Sequence, residues 1–135
     1  MNFNYVREKR IFEVLELLKH EDLTYFNGEY PQVDWIGEFF REGGHVYGAF
    51  NGDELVGVII AEDIKADGVL LWYISSKEKN VGIGSALMSA FEDSMRSDRK
   101  TWIFLNATKA SKHFYEKNNF MGKKSEVYEF YKGLD

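Results

Sequence analysis

Ile74 to Leu87 reads ISSKEKNVGIGSAL, and what flanks its two glycines sets the architecture. Upstream, VLLWYIS (Val69 to Ser75) is almost wholly apolar, the pattern of a strand covered on both faces and so central in its sheet. Downstream, Ile83, Leu87, Phe91 and Met95 recur every four residues, which predicts an amphipathic helix from about Gly82 to Arg96. The glycine turn therefore joins a buried strand to a helix start. Such a start presents unpaired backbone N–H groups and a partial positive charge, and glycine lets an anionic oxygen approach them closely. Lys79, Asn80, Val81, Gly82, Ile83, Gly84 and Ser85 are thus candidates for a pyrophosphate cradle. On the glycines alone, a tight strand-to-helix turn with no ligand accounts for the pattern equally well.

Two nucleotide motifs fail here. A dinucleotide fingerprint needs a third glycine where Leu87 stands, and it belongs at the start of a parallel unit rather than after a hairpin. A phosphate-binding P-loop needs a lysine after its last glycine, and Ser85-Ala86 supplies none.

Working outward, HVYGAF and LVGVIIAEDI flank Asn51-Gly52-Asp53-Glu54, a hairpin signal in which Asn-Gly suits positive backbone angles. Toward the N-terminus, Phe3 to Val6 is a strand candidate. Ile11, Val14, Leu15 and Leu18 then form one face of a helix, with Glu13, Glu16 and Lys19 opposite. A second helix, Gln32 to Arg41, carries Trp35, Ile36, Phe39 and Phe40 up to the Gly43-Gly44 breaker. Toward the C-terminus come a buried strand, TWIFLNA, a short helix from about Lys109 to Asn118, and the alternating stretch EVYEFYK. The order of elements predicts an α/β (α+β) domain with a mixed sheet, antiparallel in its first half and joined by helical crossovers in its second.

The 135 residues suit a single domain, 1–135, and contain no repeats and only one proline, Pro31. The absence of cysteine removes thiolate nucleophiles, thiolate metal sites and disulfides. His20, His45 and His113 lack metal-ligand spacing, so no metal is expected and the three read as surface or packing residues. A net charge of -5 leans away from nucleic acid and suits a cationic substrate. With no apolar run of membrane-spanning length and no signal-like start, the expected location is cytoplasmic, away from membranes.

The segment ISSKEKNVGIGSALM resembles the signature of the GNAT acetyltransferase superfamily, with Gly82 and Gly84 in the glycine places and Lys79 where most members have Arg or Gln. Downstream, FYEKNNF (Phe114 to Phe120) is similar to the family's FYEKxGF segment. Asn119 replaces the usual glycine there, as asparagine can at a left-handed helix cap. Thr108 stands where many members have asparagine. The similarity covers about residues 55 to 132.

The resemblance implies a mixed, mostly antiparallel sheet of about six or seven strands flanked by about four helices. Its fourth and fifth strands splay apart to admit the pantetheine arm of acetyl-coenzyme A. Trp72 to Ser75 would form the edge of that gap, and the Ile74 N–H would stabilise the oxyanion formed from the thioester carbonyl. Ile74, Ser75, Asn106, Phe114, Tyr115 and Lys117 join the glycine turn as expected cofactor contacts; Lys109 and Lys112 are further candidates for phosphate. Tyr115 would protonate the leaving thiolate, or else serve only as a core aromatic. Glu62, ahead of Asp63, is the candidate base, although both carboxylates also read as ordinary loop residues. Trp35, Phe39, Phe40, Tyr25, Phe26 and Tyr30 fall on the acceptor side of such a fold, or into the core beneath the second helix.

The activity implied is N-acetylation of a primary amine on a small molecule or peptide by direct attack. The rivals are a noncatalytic acyl-coenzyme A sensor and a ligand-free interaction domain. EVYEFYK offers an aromatic strand for homodimer pairing.

Overall fold

A computed structural model of the chain describes residues 1–19, 31–79, 81–107, 112–122 and 130–134. Seven strands form one sheet in the order β1-β2-β3-β4-β5-β7-β6. Strand β1 is Asn2–Tyr5, β2 Gly44–Asn51, β3 Glu54–Ile64, β4 Gly68–Ser76, β5 Trp102–Leu105, β6 Met121–Gly122 and β7 Phe130–Gly133. The helices are α1 (Ile11–Leu18), α2 (Val33–Glu38), α3 (Ile83–Ser97) and α4 (Lys112–Lys117), with a 3-10 turn at Glu8–Arg10. Strands β1 to β4 are antiparallel neighbours. The β4–β5 pair is parallel, because α3 carries the chain across between them.

The hairpin falls where expected: Asn51 pairs with Glu54, and of the turn residues Gly52 alone has a positive φ, of 63°. Strand β4 is central. Leu70, Trp72 and Ile74 within it are only half-buried, so the apolar run does not reflect complete burial on both faces.

Two cores sandwich the sheet. On one face, Leu87, Met88, Phe91 and Met95 of α3 pack on Ile59, Ala61, Val69, Leu71, Ile103 and Leu105. The helix lies close because a Cβ at Gly57 would stand 3.2 Å from Ile83 and 3.3 Å from Leu87. On the other face, Val14, Leu17 and Leu18 of α1 and Ile36 of α2 cover Val46, Val58, Ile60 and Tyr73. Helix α2 is shorter than the Gln32 to Arg41 expected. After Glu38 the bonds tighten to a three-residue span, Phe39 N–H to Ile36 O and Phe40 N–H to Gly37 O, and the chain turns into β2. Asn119 takes the left-handed conformation, with φ of 69°, that its place after α4 requires.

The two-residue β6 was not evident in the sequence; Met121 and Gly122 pair with Tyr131 and Phe130. As β7 also pairs with β5, Phe130 and Tyr131 have strand partners on both sides and present no edge to a second subunit. Residues 126–129 of EVYEFYK lie outside the described residues, as does the start of the helix expected from Lys109.

Glu92 of α3, 5% exposed, receives the Lys132 ammonium at 2.7 Å, and Arg96 lies 3.7 Å away. Lys132 also donates to the carbonyl of Asn118, so one side chain ties β7 to α3 and to the end of α4. Removing Lys132 takes the nearer cation from a buried carboxylate and leaves it Arg96 at 3.7 Å. In urea unfolding, Lys132→Met is expected to cost about 3 kcal/mol, and adding Glu92→Leu to return stability to within about 1 kcal/mol of the parent.

Candidate active site

The β4–β5 ladder runs only from Gly68↔Trp102 to Leu71↔Leu105, while β4 itself continues to Ser76. Beyond Leu71 the two strands part. The divergence coincides with a bulge in the β3–β4 ladder, where Ile60 pairs with Tyr73 but the next residue, Ala61, pairs with Leu71. Trp72 is the extra residue. It and Tyr73 both join the α1/α2 core, whereas Leu71 and Ile74 belong to the α3 core, so side-chain alternation skips one step.

Antiparallel bonding then fixes which amides face the opening. Lys77 N–H donates to Val56 O at 2.8 Å. Alternation makes Ser75/Val58 and Tyr73/Ile60 the next bonded pairs, which turns the N–H groups of Ile74 and Ser76 away from β3 and toward the side β5 leaves open. Ser75 faces the other way, and its hydroxyl donates to Leu17 O at 2.7 Å, anchoring β4 to α1. Of the neighbouring serines, Ser76 rather than Ser75 has its amide on the gap side.

The glycine turn stands at the same end of β4. Gly82 has φ of 85°, which costs an L-residue strain and glycine none. The turn's first intrahelical bond runs from Ala86 N–H to Gly82 O, so the amides of Ile83, Gly84 and Ser85 precede it without intrahelical acceptors. No acidic residue occupies this first turn. Lys79 and Val81 are exposed beside it; Asn80 lies outside the described residues.

Helix α4 docks on this turn. The Phe114 ring lies against Gly84, where a Cβ would come within 3.1 Å of it, and Asn118 Nδ2 donates to Ser85 Oγ at 3.3 Å. Tyr115 turns into the α3 core between Phe114, Phe120 and Phe130, with ring centroids 5.3, 5.6 and 6.2 Å away. Asn106 follows β5 at the mouth of the gap, half-buried, and Lys112 and Lys117 are exposed on α4. Thr108 and Lys109 are outside the described residues.

Glu62 and Asp63 sit on strand β3, half-buried, rather than in a loop. They point to opposite faces. Asp63 accepts from His45 at 2.7 Å and pairs with Lys100 at 3.3 Å, and Tyr5 meets the other ring nitrogen of His45. Asp63 is thereby committed to a buried structural cluster. Glu62 instead accepts the indole N–H of Trp72 at 2.9 Å, a pairing with no signal in the sequence. Trp35 stacks edge-on against Trp72 at 5.3 Å, and Phe39 lies beneath, while Phe40 is half-buried in the same cluster. Burial pushes the Tyr73 phenol well above its usual pKa, so it is protonated at neutral pH and cannot act as a base there. Tyr25, Phe26, Tyr30 and His20 lie outside the described residues. Among the described residues no group of three or more metal-ligating side chains occurs, and no helix is long and apolar enough to cross a membrane.

A splayed parallel pair with a glycine-opened helix beside it is the frame of an acyl-coenzyme A-dependent transferase. The family model described as "Acetyltransferase (GNAT) domain" matches residues 14–131, and the chain belongs to that family. Solved structures agree at the level of the fold. An aminoglycoside 6'-N-acetyltransferase complexed with coenzyme A superposes with a TM-score of 0.80 at 18% identity, covering 100% of this chain and 98% of its own. The ribosomal-protein-S18-alanine N-acetyltransferase from Escherichia coli gives 0.80 at 10% identity, over 99% and 94%. A PaiA N-acetyltransferase from Thermoplasma acidophilum, also in complex with coenzyme A, gives 0.74 at 17%, over 96% and 95%. No curated protein matches the sequence.

The family's cosubstrate, acetyl-coenzyme A, fits the residues present. It needs a gap lined by outward-facing amides and an anion cradle at the same end of β4, and both are there. The Gly84–Phe114 contact holds the two helices of this site together. Gly84→Val should force the ring away and cost about 1–3 kcal/mol in denaturant unfolding. A second substitution, Phe114→Ala, should then add less than it costs alone; strict additivity would show that the two residues are not coupled.

Proposed function

We propose that the chain transfers the acetyl group of acetyl-coenzyme A to a primary amine by direct attack, without an acyl-enzyme. One observation carries this reading: the β4–β5 ladder stops at Leu71 and the Ile74 N–H points into the opening. When bound, acetyl-coenzyme A supplies an activated acyl group on a thioester. The Ile74 and Ser76 amides would hold the extended arm as a strand neighbour would, and the amides of Ile83, Gly84 and Ser85 would take the pyrophosphate.

Attack forms the C–N bond and breaks the C–S bond, so the amine must lose a proton and the thiolate must gain one. The Ile74 N–H offsets the charge that grows on the carbonyl oxygen. Glu62 takes the amine's proton. Its hydrogen-bond partner Trp72 stands two residues before Ile74 on β4, and water relays the proton from the amine to the carboxylate. Tyr115 returns a proton to sulfur, supported by the docking of its helix on the glycine turn.

The rival reading, an acyl-coenzyme A sensor, draws on the enclosure of Tyr115 among aromatic rings. The two separate cleanly. Acetyl-coenzyme A should raise the melting temperature, and coenzyme A should be released with some amine in a broad panel. Tyr115→Phe should lower turnover at least tenfold at nearly unchanged cofactor affinity. Unchanged turnover would remove Tyr115 from the acid role, and binding without turnover for any amine would favour the sensor.

A further inference from the structure

The registers of three ladders align Glu62 of β3, Leu70 of β4, Phe104 of β5 and Tyr131 of β7 as one row across the sheet. The row lies on the face away from α3, because the alternate residues Val69, Leu71, Ile103, Leu105 and Phe130 fill the α3 core. Trp102 extends the aromatic part: its ring stacks on Phe104 at 6.2 Å, lies 6.0 Å from Tyr131, and is 40% exposed. At the other end of the row stands a carboxylate, beside Trp72 and its edge-on partner Trp35.

The carboxylates of lowest exposure show what this arrangement lacks. Asp63 has His45 and Lys100, and Glu92 has Lys132 and Arg96. Glu62, also half-buried, has a neutral indole N–H, and among the described residues no cation pairs with it. A half-buried carboxylate next to aromatic faces is a site for an ammonium ion, since the charge and the ring quadrupoles attract the same cation. The rings beyond it offer apolar contact to whatever carries that ammonium.

We propose that the acceptor is a small primary amine on an aromatic or branched apolar body, its ammonium received by Glu62 and its body laid on the row from Trp72 toward Trp102. This rests on the acetyltransferase reading above and adds the substrate class. Acceptors with a carboxylate beside the amine are repelled by Glu62. Polyamines leave the rings in water and gain only the single charge contact.

The test is initial-rate coenzyme A release by the full chain at saturating acetyl-coenzyme A. The acceptors are phenethylamine, isoamylamine, spermidine, phenylalanine and a short peptide with a free N-terminus. Phenethylamine should exceed spermidine, phenylalanine and the peptide at least tenfold in kcat/KM, with isoamylamine between. Glu62→Gln should shrink the phenethylamine-to-phenylalanine ratio at least tenfold, a charge-specific change that general loss of activity does not produce. Trp102→Ser, at an exposed position, should shrink the phenethylamine-to-spermidine ratio at least fivefold; the shift in melting temperature on adding acetyl-coenzyme A serves as the folding control for both variants. Turnover that is equal or better with spermidine or the peptide overturns this substrate class and leaves the acetyltransferase reading standing. No turnover with any amine overturns both.

Discussion

Parallel strands β4 and β5 remain hydrogen-bonded for only four residues, and the site depends on their parting. A sheet interrupted in its middle would normally bury unsatisfied amides, which is costly unless something else pairs with them. Here the bulge at Trp72 resets β4 so that Ile74 and Ser76 offer their N–H groups along the opening, where an extended ligand can complete the ladder. The cleft is therefore an unfinished sheet rather than a hollow between domains.

Packing keeps that opening in one shape. Gly57 brings Ile83 and Leu87 of α3 down onto β3, and Gly84 brings Phe114 of α4 onto the start of α3. Ser75 ties β4 to α1 from the other side. The glycine turn, the amides of β4 and the aromatic residues of α4 are thus held by short contacts to different neighbours, which fixes their relative positions. The charged groups divide between the faces in the same way. Asp63 and Glu92 on the α3 side pair with the lysines Lys100 and Lys132, whereas Glu62 on the opposite face meets an indole.

Much of this was legible in the sequence because local rules govern it. The four-residue spacing from Ile83 to Met95, the Asn-Gly hairpin and the asparagine cap at Asn119 depend on the residues themselves and their near neighbours, and each appears where expected. The bulge was hidden because VLLWYIS is apolar throughout, so an alternation that skips a step leaves no mark in it. The separate fates of Glu62 and Asp63 were hidden for a related reason. Adjacent strand residues face opposite sides, and which side holds His45 or Trp72 depends on residues 18 and 10 positions away. The aromatic row from Phe104 to Tyr131 likewise exists only through register.

The unfinished sheet makes one direct demand on solution behaviour. Amide hydrogen exchange, followed residue by residue with and without saturating coenzyme A, reads it at four consecutive positions of β4. Tyr73 and Ser75, bonded to β3, should be protected already and change little, while Ile74 and Ser76 should gain protection of at least tenfold when the ligand binds. Binding that leaves Ile74 and Ser76 unchanged, or that protects all four alike, would contradict the account.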